Sequence, residues 1–427
     1  MANVVFIMMI TPLDNWVKGK TGDDIATYQL EKLNETLRTV QKGTHYQRTL
    51  PQRVESLSEL KSLPIIDAET LTRSGGTGLI CVPQDEITRI VTLTTSGSTG
   101  APKRIYFTKE DQELTVDYFA NGLLTVVPPG GTMAVLLPYE RPGSVGDLIA
   151  CALQRIPVTP VRHGPVSDLA SCANTLRDSG AGALVGTAVH VLAVARYCEA
   201  AGIMMNISGV LLSTDNVPHI VRQELKRIWG CDIYEHYGMT EMGLGGAIDC
   251  DAHDGYHIRE NDLLFEIIDE NGNTLPDGVF GEIVFTTLTR RGMPFVRYRT
   301  GDISRIIPGR CVCGSSLKRI APIAGRVGCD VTMHSGAVVR MRDFDEVLFS
   351  LPCISDYWLS VSPCGDMLFI DIDVQESFSG QPLDGVETLL LGSGLADGFE
   401  IKIRTMRRPD ILTPRTGKRQ VIVSQIL

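Results

Sequence analysis

Between residues 86 and 234, short apolar runs alternate with longer amphipathic ones. Residues 87–93, 133–137, 157–161, 183–185, 210–212 and 232–234 read as strands. Residues 110–124, 145–153, 168–179, 188–200 and 218–229 read as the helices between them. Such alternation predicts an α/β fold, a largely parallel sheet with helices on both faces. Ligands of such sheets bind at the carboxyl ends of the strands. Upstream, residues 23–42 place Ala26, Leu30, Leu33, Leu37 and Val40 at alternating steps of four and three, the spacing of an amphipathic helix.

After Met242 the pattern becomes β-rich. Residues 263–268 and 281–286 flank the turn D-E-N-G-N and read as neighbouring antiparallel strands. From about residue 328 onward, strands (366–374, 399–403) mix with short helices (344–350, 384–391), as in a small α+β domain. A chain of 427 residues exceeds one ordinary core, so two domains are expected. The expected division is a large α/β domain over residues 1–325, with a β-rich subdomain within about 243–325, and a small C-terminal domain over 326–427.

A net charge of −10 argues against a general nucleic-acid binder, which needs a basic face. Any anionic ligand must therefore meet local positive charge. Basic residues cluster late, at Arg404, Arg407, Arg408, Arg415, Lys418 and Arg419, a run that usually marks a solvated face. The apolar start M-A-N-V-V-F-I-M-M-I lacks a basic flank and a cleavage site and is too short to span a bilayer. A cytoplasmic protein with no membrane partner is expected. Eleven cysteines, an odd and scattered set, fit reduced thiols better than a disulfide framework.

The chemistry is concentrated in a few stretches. Residues 94–103 read T-T-S-G-S-T-G-A-P-K, with five hydroxyls, two glycines and a closing lysine. Glycines let a backbone approach a ligand closely, and hydroxyls and free N–H groups donate to phosphate oxygens. The loop therefore suits a polyphosphate, and it is not a Walker loop, which needs a Gly-Lys-Ser/Thr step. A flexible linker is the rival reading, and the strand before and helix after it argue against that. Residues 234–243, Y-E-H-Y-G-M-T-E-M-G, set an aromatic ring beside a hydroxyl and a carboxylate, able to stack a base, donate to phosphate and hold magnesium. In Y-R-T-G-D, residues 298–302, the carboxylate after a turn glycine can accept from both ribose hydroxyls, although an Asp there is commonly a turn former. Cys250, His257, Cys311 and Cys313 supply three thiols and one imidazole, the donor set of a closed zinc site, with His253 as a competing ligand and buried free thiols as the alternative.

T-S-G-S-T-G-A-P-K resembles the phosphate loop of the adenylate-forming (AMP-binding) superfamily, and its flanks resemble the phenylacetate-CoA ligase-like branch. The resemblance implies that Thr95, Ser96, Gly97, Ser98, Thr99, Gly100 and Lys103 hold the ATP phosphates. Tyr237 and Gly238 would meet adenine, Thr240 the α-phosphate, Glu241 magnesium and Asp302 the ribose. Gly325 and Arg326 resemble the motif at the hinge to a mobile lid, with Gly328 where relatives have an acidic residue or lysine. P-R-T-G-K-R resembles the terminal motif whose lysine, here Lys418, bridges carboxylate and α-phosphate. S-T-D-N, residues 213–216, stands where the family has an adenine-contact turn and makes Asp215 a weaker nucleotide ligand. D-C-D-A-H-D-G-Y-H and R-C-V-C-G resemble the cysteine segments of the same branch, which implies a structural zinc.

The activity so implied is that of an acid–CoA ligase: ATP and magnesium activate a carboxylic acid as an acyl-adenylate, pyrophosphate leaves, and coenzyme A takes the acyl group. A second reading keeps adenylation but gives it an acceptor other than coenzyme A, as in cofactor adenylyltransferases. A third is a nucleotide-binding protein without catalysis, against which the joint retention of the loop, Glu241, Asp302 and Lys418 speaks. Residues 138–147 lie where relatives shape the acid pocket, and Tyr139 and His236 are its candidate linings. The sequence names no acid, and it leaves a homodimer open.

Overall fold

The computed structural model describes residues 12–17, 20, 22–47, 49–73, 76–93, 102–374, 384–406 and 419–423. The chain forms two compact units, each drawn from several stretches. The first comprises residues 1–125, 151–156 and 236–325; the second comprises 126–150, 157–235 and 326–427.

In the second unit the strands Thr132–Val135, Thr159–Arg162, Ala183–Gly186, Gly209–Leu212 and the start of Asp232–Tyr237 pair in parallel. Ala183–Gly186 and Gly209–Leu212 are buried along their whole length, as strands covered on both faces must be. Helices Ala188–Ala200 and His219–Trp229 alternate with them as expected. After Gly209–Leu212 the chain turns through Thr214, whose φ of 78° is left-handed. For a β-branched residue that conformation costs about 1–3 kcal/mol and persists only where its surroundings impose it.

The C-terminal stretch shares this unit's core. Phe344, Leu348, Phe349, Tyr357 and Leu359 cluster with Val194, Cys198, Leu212 and Leu225. Its sheet runs Glu400–Met406, Met367–Val374, Ile354–Val361, Ile422–Val423, with helix Met341–Leu348 beside it. Arg196, on Ala188–Ala200, donates to the carbonyls of Phe349 (2.5 Å), Leu351 (3.1 Å) and Ile354 (3.2 Å). A guanidinium thus satisfies carbonyls at and just beyond a helix end, where no intrahelical donor reaches.

The first unit begins with helix Asp23–Val40, which buries Leu33, Leu37 and Val40. Strand Ile87–Leu93 departs from expectation: it pairs antiparallel with Lys103–Thr108 as a separate two-stranded sheet and does not join the parallel one. Register places Lys103 opposite Leu93. Thr108 ends the second strand and caps helix Lys109–Gly122 through a reciprocal capping box with Asp111. Leu263–Ile268, Gly281–Thr287 and Tyr298–Ser304 form the expected antiparallel ladder. Shorter strands, Ala247–Ile248, Tyr256–Ile258 and Arg319–Ile320, complete the β-rich part.

Arg196→Met should destabilise the folded state by about 3 kcal/mol, because buried carbonyls lose a charged donor. Urea unfolding of wild type and variant measures this, and an unchanged midpoint would contradict it.

Candidate active site

The first unit brings together the end of the phosphate-type loop and the motifs at 234–243 and 298–302. Lys103 Nζ lies 2.7 Å from Glu241 Oε1, and the Glu241 side chain is only 2 % exposed. The hydroxyl of Tyr298 donates to the same oxygen at 3.3 Å. Both of these bonds fall on Oε1.

Tyr237 is the counterpart. Its hydroxyl donates to Asp302 Oδ2 at 3.1 Å, and both residues are buried. Two tyrosines therefore tie the two motifs together, Tyr298 toward Glu241 and Tyr237 toward Asp302. The alternation of Tyr298–Ser304 puts Tyr298, Thr300 and Asp302 on one buried face. Gly301 takes a φ of 78° and sends its N–H to Glu282 at 2.9 Å. Gly238 is required for space: a Cβ there would lie 1.8 Å from the carbonyl of Leu244. Thr240 starts the single 3₁₀ turn Thr240–Met242 that carries Glu241 and is half-buried.

Arg290 escaped sequence reasoning. Its buried guanidinium donates to the carbonyls of Glu241 (2.5 Å) and Tyr106 (3.1 Å), and it lies 4.4 Å and 5.4 Å from the ring centroids of Phe107 and Phe295. Burial lowers its pKa to about 10. Asp111 sets the turn that presents it, accepting from Arg291 and Gly292 N–H at 2.8 and 3.0 Å. The sequence signal was the pair Arg290–Arg291 set between the apolar stretches I-V-F-T-T-L and M-P-F-V.

His236, a candidate pocket lining, packs against Tyr118 and Phe119 at 5.7 and 5.6 Å, and its Nε2 donates to Leu244 O at 2.9 Å. Burial pushes its pKa down to about 4. Tyr139, the other candidate, belongs to the second unit and lies against Gly164.

The sulfur-bearing residues also converge. Ligand atoms of Cys250, His257, Cys311 and Cys313 all lie within 4.8 Å of one another. Cys250 and Cys311 sulfurs stand 3.7 Å apart, and Cys313 Sγ lies 3.4 Å from His257 Nε2. Ligands about 2.3 Å from a tetrahedral zinc stand roughly 3.8 Å apart, so the donor set and spacing fit that ion. His257 Nδ1 faces Leu317 O at 3.3 Å, which orients the ring. His253, the competing ligand, pairs instead with Asp249 at 2.7 Å.

In the second unit, Asp215 Oδ1 accepts from Asn216 N–H and its Oδ2 from Arg419 N–H, both at 2.9 Å. Arg326 ends the strand Gly325–Arg326, where the chain passes from the first unit to the second. Thr95, Ser96, Gly97, Ser98, Thr99, Gly100 and Lys418 lie outside the described residues.

An α/β fold thus carries a lysine-held buried carboxylate beside a tyrosine-held aspartate. The chain belongs to the AMP-binding enzyme family, whose model matches residues 5–288. It is 27 % identical over 370 residues to the phenylacetate-coenzyme A ligase of Aromatoleum evansii, covering 83 % of this chain and 82 % of that protein. Against the phenylacetate-coenzyme A ligase of Pseudomonas putida it is 27 % identical over 396 residues, covering 87 % and 86 %. A solved 2-hydroxyisobutyryl-CoA ligase in complex with an acyl-AMP superposes with a TM-score of 0.77 at 18 % identity, covering 94 % of this chain and 90 % of that one. That likeness establishes an adenylate-forming ligase fold.

His236 gives a pH dependence with a definite sign. Its folded pKa, about 4, lies below the unfolded value of 6.5. Between those values the unfolded chain binds the extra proton, so stability falls on acidification through this window, by up to about 3 kcal/mol. Urea midpoints at pH 7 and pH 4.5 should differ less in His236→Gln than in wild type; an equal difference would remove His236 as the cause.

Proposed function

We propose that this protein is an AMP-forming acid–CoA ligase, which activates a carboxylic acid as its acyl-adenylate and passes the acyl group to coenzyme A. The observation that carries the reading is the convergence of Lys103, Glu241, Tyr298, Tyr237 and Asp302. Family membership and the ligase relatives support it.

In this reading the loop that ends at Lys103 holds the ATP phosphates through its N–H groups and hydroxyls. Thr240 donates to the α-phosphate, Tyr237 and Gly238 line the adenine, and Asp302, oriented by Tyr237, accepts from the ribose. Glu241 would hold a magnesium ion, which offsets phosphate charge when bound. Arg326 stands at the hinge between residues 1–325 and a lid of residues 326–427. Lys418, on that lid, offsets charge as the carboxylate attacks the α-phosphate and pyrophosphate leaves. Preorganised donors of this kind each contribute on the order of a hundred- to a thousandfold in rate. Cys250, His257, Cys311 and Cys313 would hold a zinc ion with no open position, which links the β-rich strands and leaves the chemistry elsewhere. The enzyme would act on small molecules in the cytoplasm. Among the described residues no helix is long and apolar enough to cross a membrane.

Acid-dependent pyrophosphate release with phenylacetate, 2-hydroxyisobutyrate and anthranilate, each with and without coenzyme A, tests the reading. Turnover that requires coenzyme A is expected; a single burst that coenzyme A does not extend would favour another acceptor. Lys418→Ala should lower acyl-adenylate formation at least about a hundredfold and leave thiolysis of supplied adenylate intact. Equal losses in both half-reactions would refute the two-position lid. The purified chain should carry about one zinc, and Cys311→Ser should lower both metal content and melting temperature. Unchanged metal content in that variant would require a different ligand set.

A further inference from the structure

Arg419 follows Lys418 directly in the chain and is held at two ends. Its guanidinium donates to Asp345, lies 3.5 Å from Asp356, reaches the carbonyl of Tyr357 at 3.4 Å, and sits 4.9 Å and 4.4 Å from the ring centroids of Phe349 and Tyr357. All of these partners belong to residues 326–427, so this root moves with that segment. The backbone N–H of Arg419 points elsewhere, to Asp215 Oδ2 at 2.9 Å.

Asp215 is built to receive it. The left-handed turn at Thr214 aims the carboxylate, and the Asn216 N–H on Oδ1 fixes its rotation. Two other polar contacts join the same segment to the helices of the parallel sheet. Glu346 accepts the N–H groups of His219 (2.5 Å) and Ile220 (2.9 Å), the uncapped start of His219–Trp229. Arg196 holds the carbonyls of Phe349, Leu351 and Ile354. Of the three contacts, Asp215 alone meets the chain adjacent to Lys418.

We propose that Asp215 is the docking acceptor that places the lysine-bearing segment for adenylation, and that Arg419 is a positioning residue acting through Lys418. The inference rests on the reading of Lys418 as the adenylation lysine, and it replaces the expected nucleotide contact of Asp215 with a contact between two parts of the chain. Rooted by its side chain and docked by its backbone, Arg419 transmits the position of residues 213–216 to its neighbour. At Arg419 itself, leaving this position breaks the hydrogen bond to Asp215, whereas its ion pairs lie within residues 326–427 and stay intact; the Glu346 and Arg196 contacts hold other parts of the same segment.

Hydrogen exchange on the full chain without ligand tests the docking independently of activity. In Asp215→Ala the Arg419 amide should exchange roughly tenfold faster or more, while the melting temperature stays within about 2 °C of wild type. Unchanged exchange at Arg419 would overturn the proposal. Pyrophosphate–ATP exchange with the same three acids reads the consequence. Asp215→Ala should lower kcat roughly tenfold at unchanged KM for ATP, and Asp215→Asn, which keeps one acceptor oxygen, should recover part of it. A raised KM for ATP at unchanged kcat would overturn the proposal and return Asp215 to nucleotide binding. If wild type activates none of the acids, the ligase reading is in difficulty, while hydrogen exchange still decides the docking.

Discussion

The 2.7 Å ion pair between Lys103 and Glu241 governs the arrangement of the first unit. The Glu241 side chain is 2 % exposed, and its ammonium partner arrives on a strand 138 residues earlier in the chain; a buried charge left without such a partner is costly. The hairpin Ile87–Leu93 with Lys103–Thr108 has to sit where Lys103 reaches Glu241, and the ladder strand has to present Tyr298 to the same oxygen. Arg290 completes the constraint from behind by holding the Glu241 backbone carbonyl and the strand carbonyl of Tyr106 with one guanidinium. Side chain and main chain of Glu241 are thus fixed by different residues.

Much of this was readable beforehand, for identifiable reasons. Ala188–Ala200 and Leu263–Ile268 matched their expected limits because periodicity and burial agree there. The hairpin partner Lys103–Thr108 was missed because K-R-I-Y-F-T carries no turn signal of its own; its pairing is set across a loop whose composition serves a ligand. Strand Ile87–Leu93 was assigned to the parallel sheet for the same reason, since alternation of elements says nothing about which sheet a strand joins. Arg290 was hard to find because a charged residue ordinarily reads as exposed, and it is covered by the ring of Phe107, from a strand far back in the chain, and that of Phe295, five residues on.

The cysteine cluster is an intermediate case. Its residue types were legible, and its C-x-C pair was an unfamiliar spacing. What unites it is sheet register: His257 stands opposite Arg319, which brings the loop with Cys311 and Cys313 back to a segment 61 residues earlier. The same register separates His257 from His253, which turns to Asp249. Sequence order could nominate both histidines, and only strand pairing selects one.

The hairpin register has a consequence for how such a chain can change. Leu93 and Lys103 are cross-strand neighbours, so strand pairing on one side and the Glu241 ion pair on the other both fix where the lysine stands. A slip of this register by one residue would turn every side chain of the strand to the opposite face. The Glu241 carboxylate would then lose its ammonium, so a pairing error anywhere along this short ladder is felt in the site.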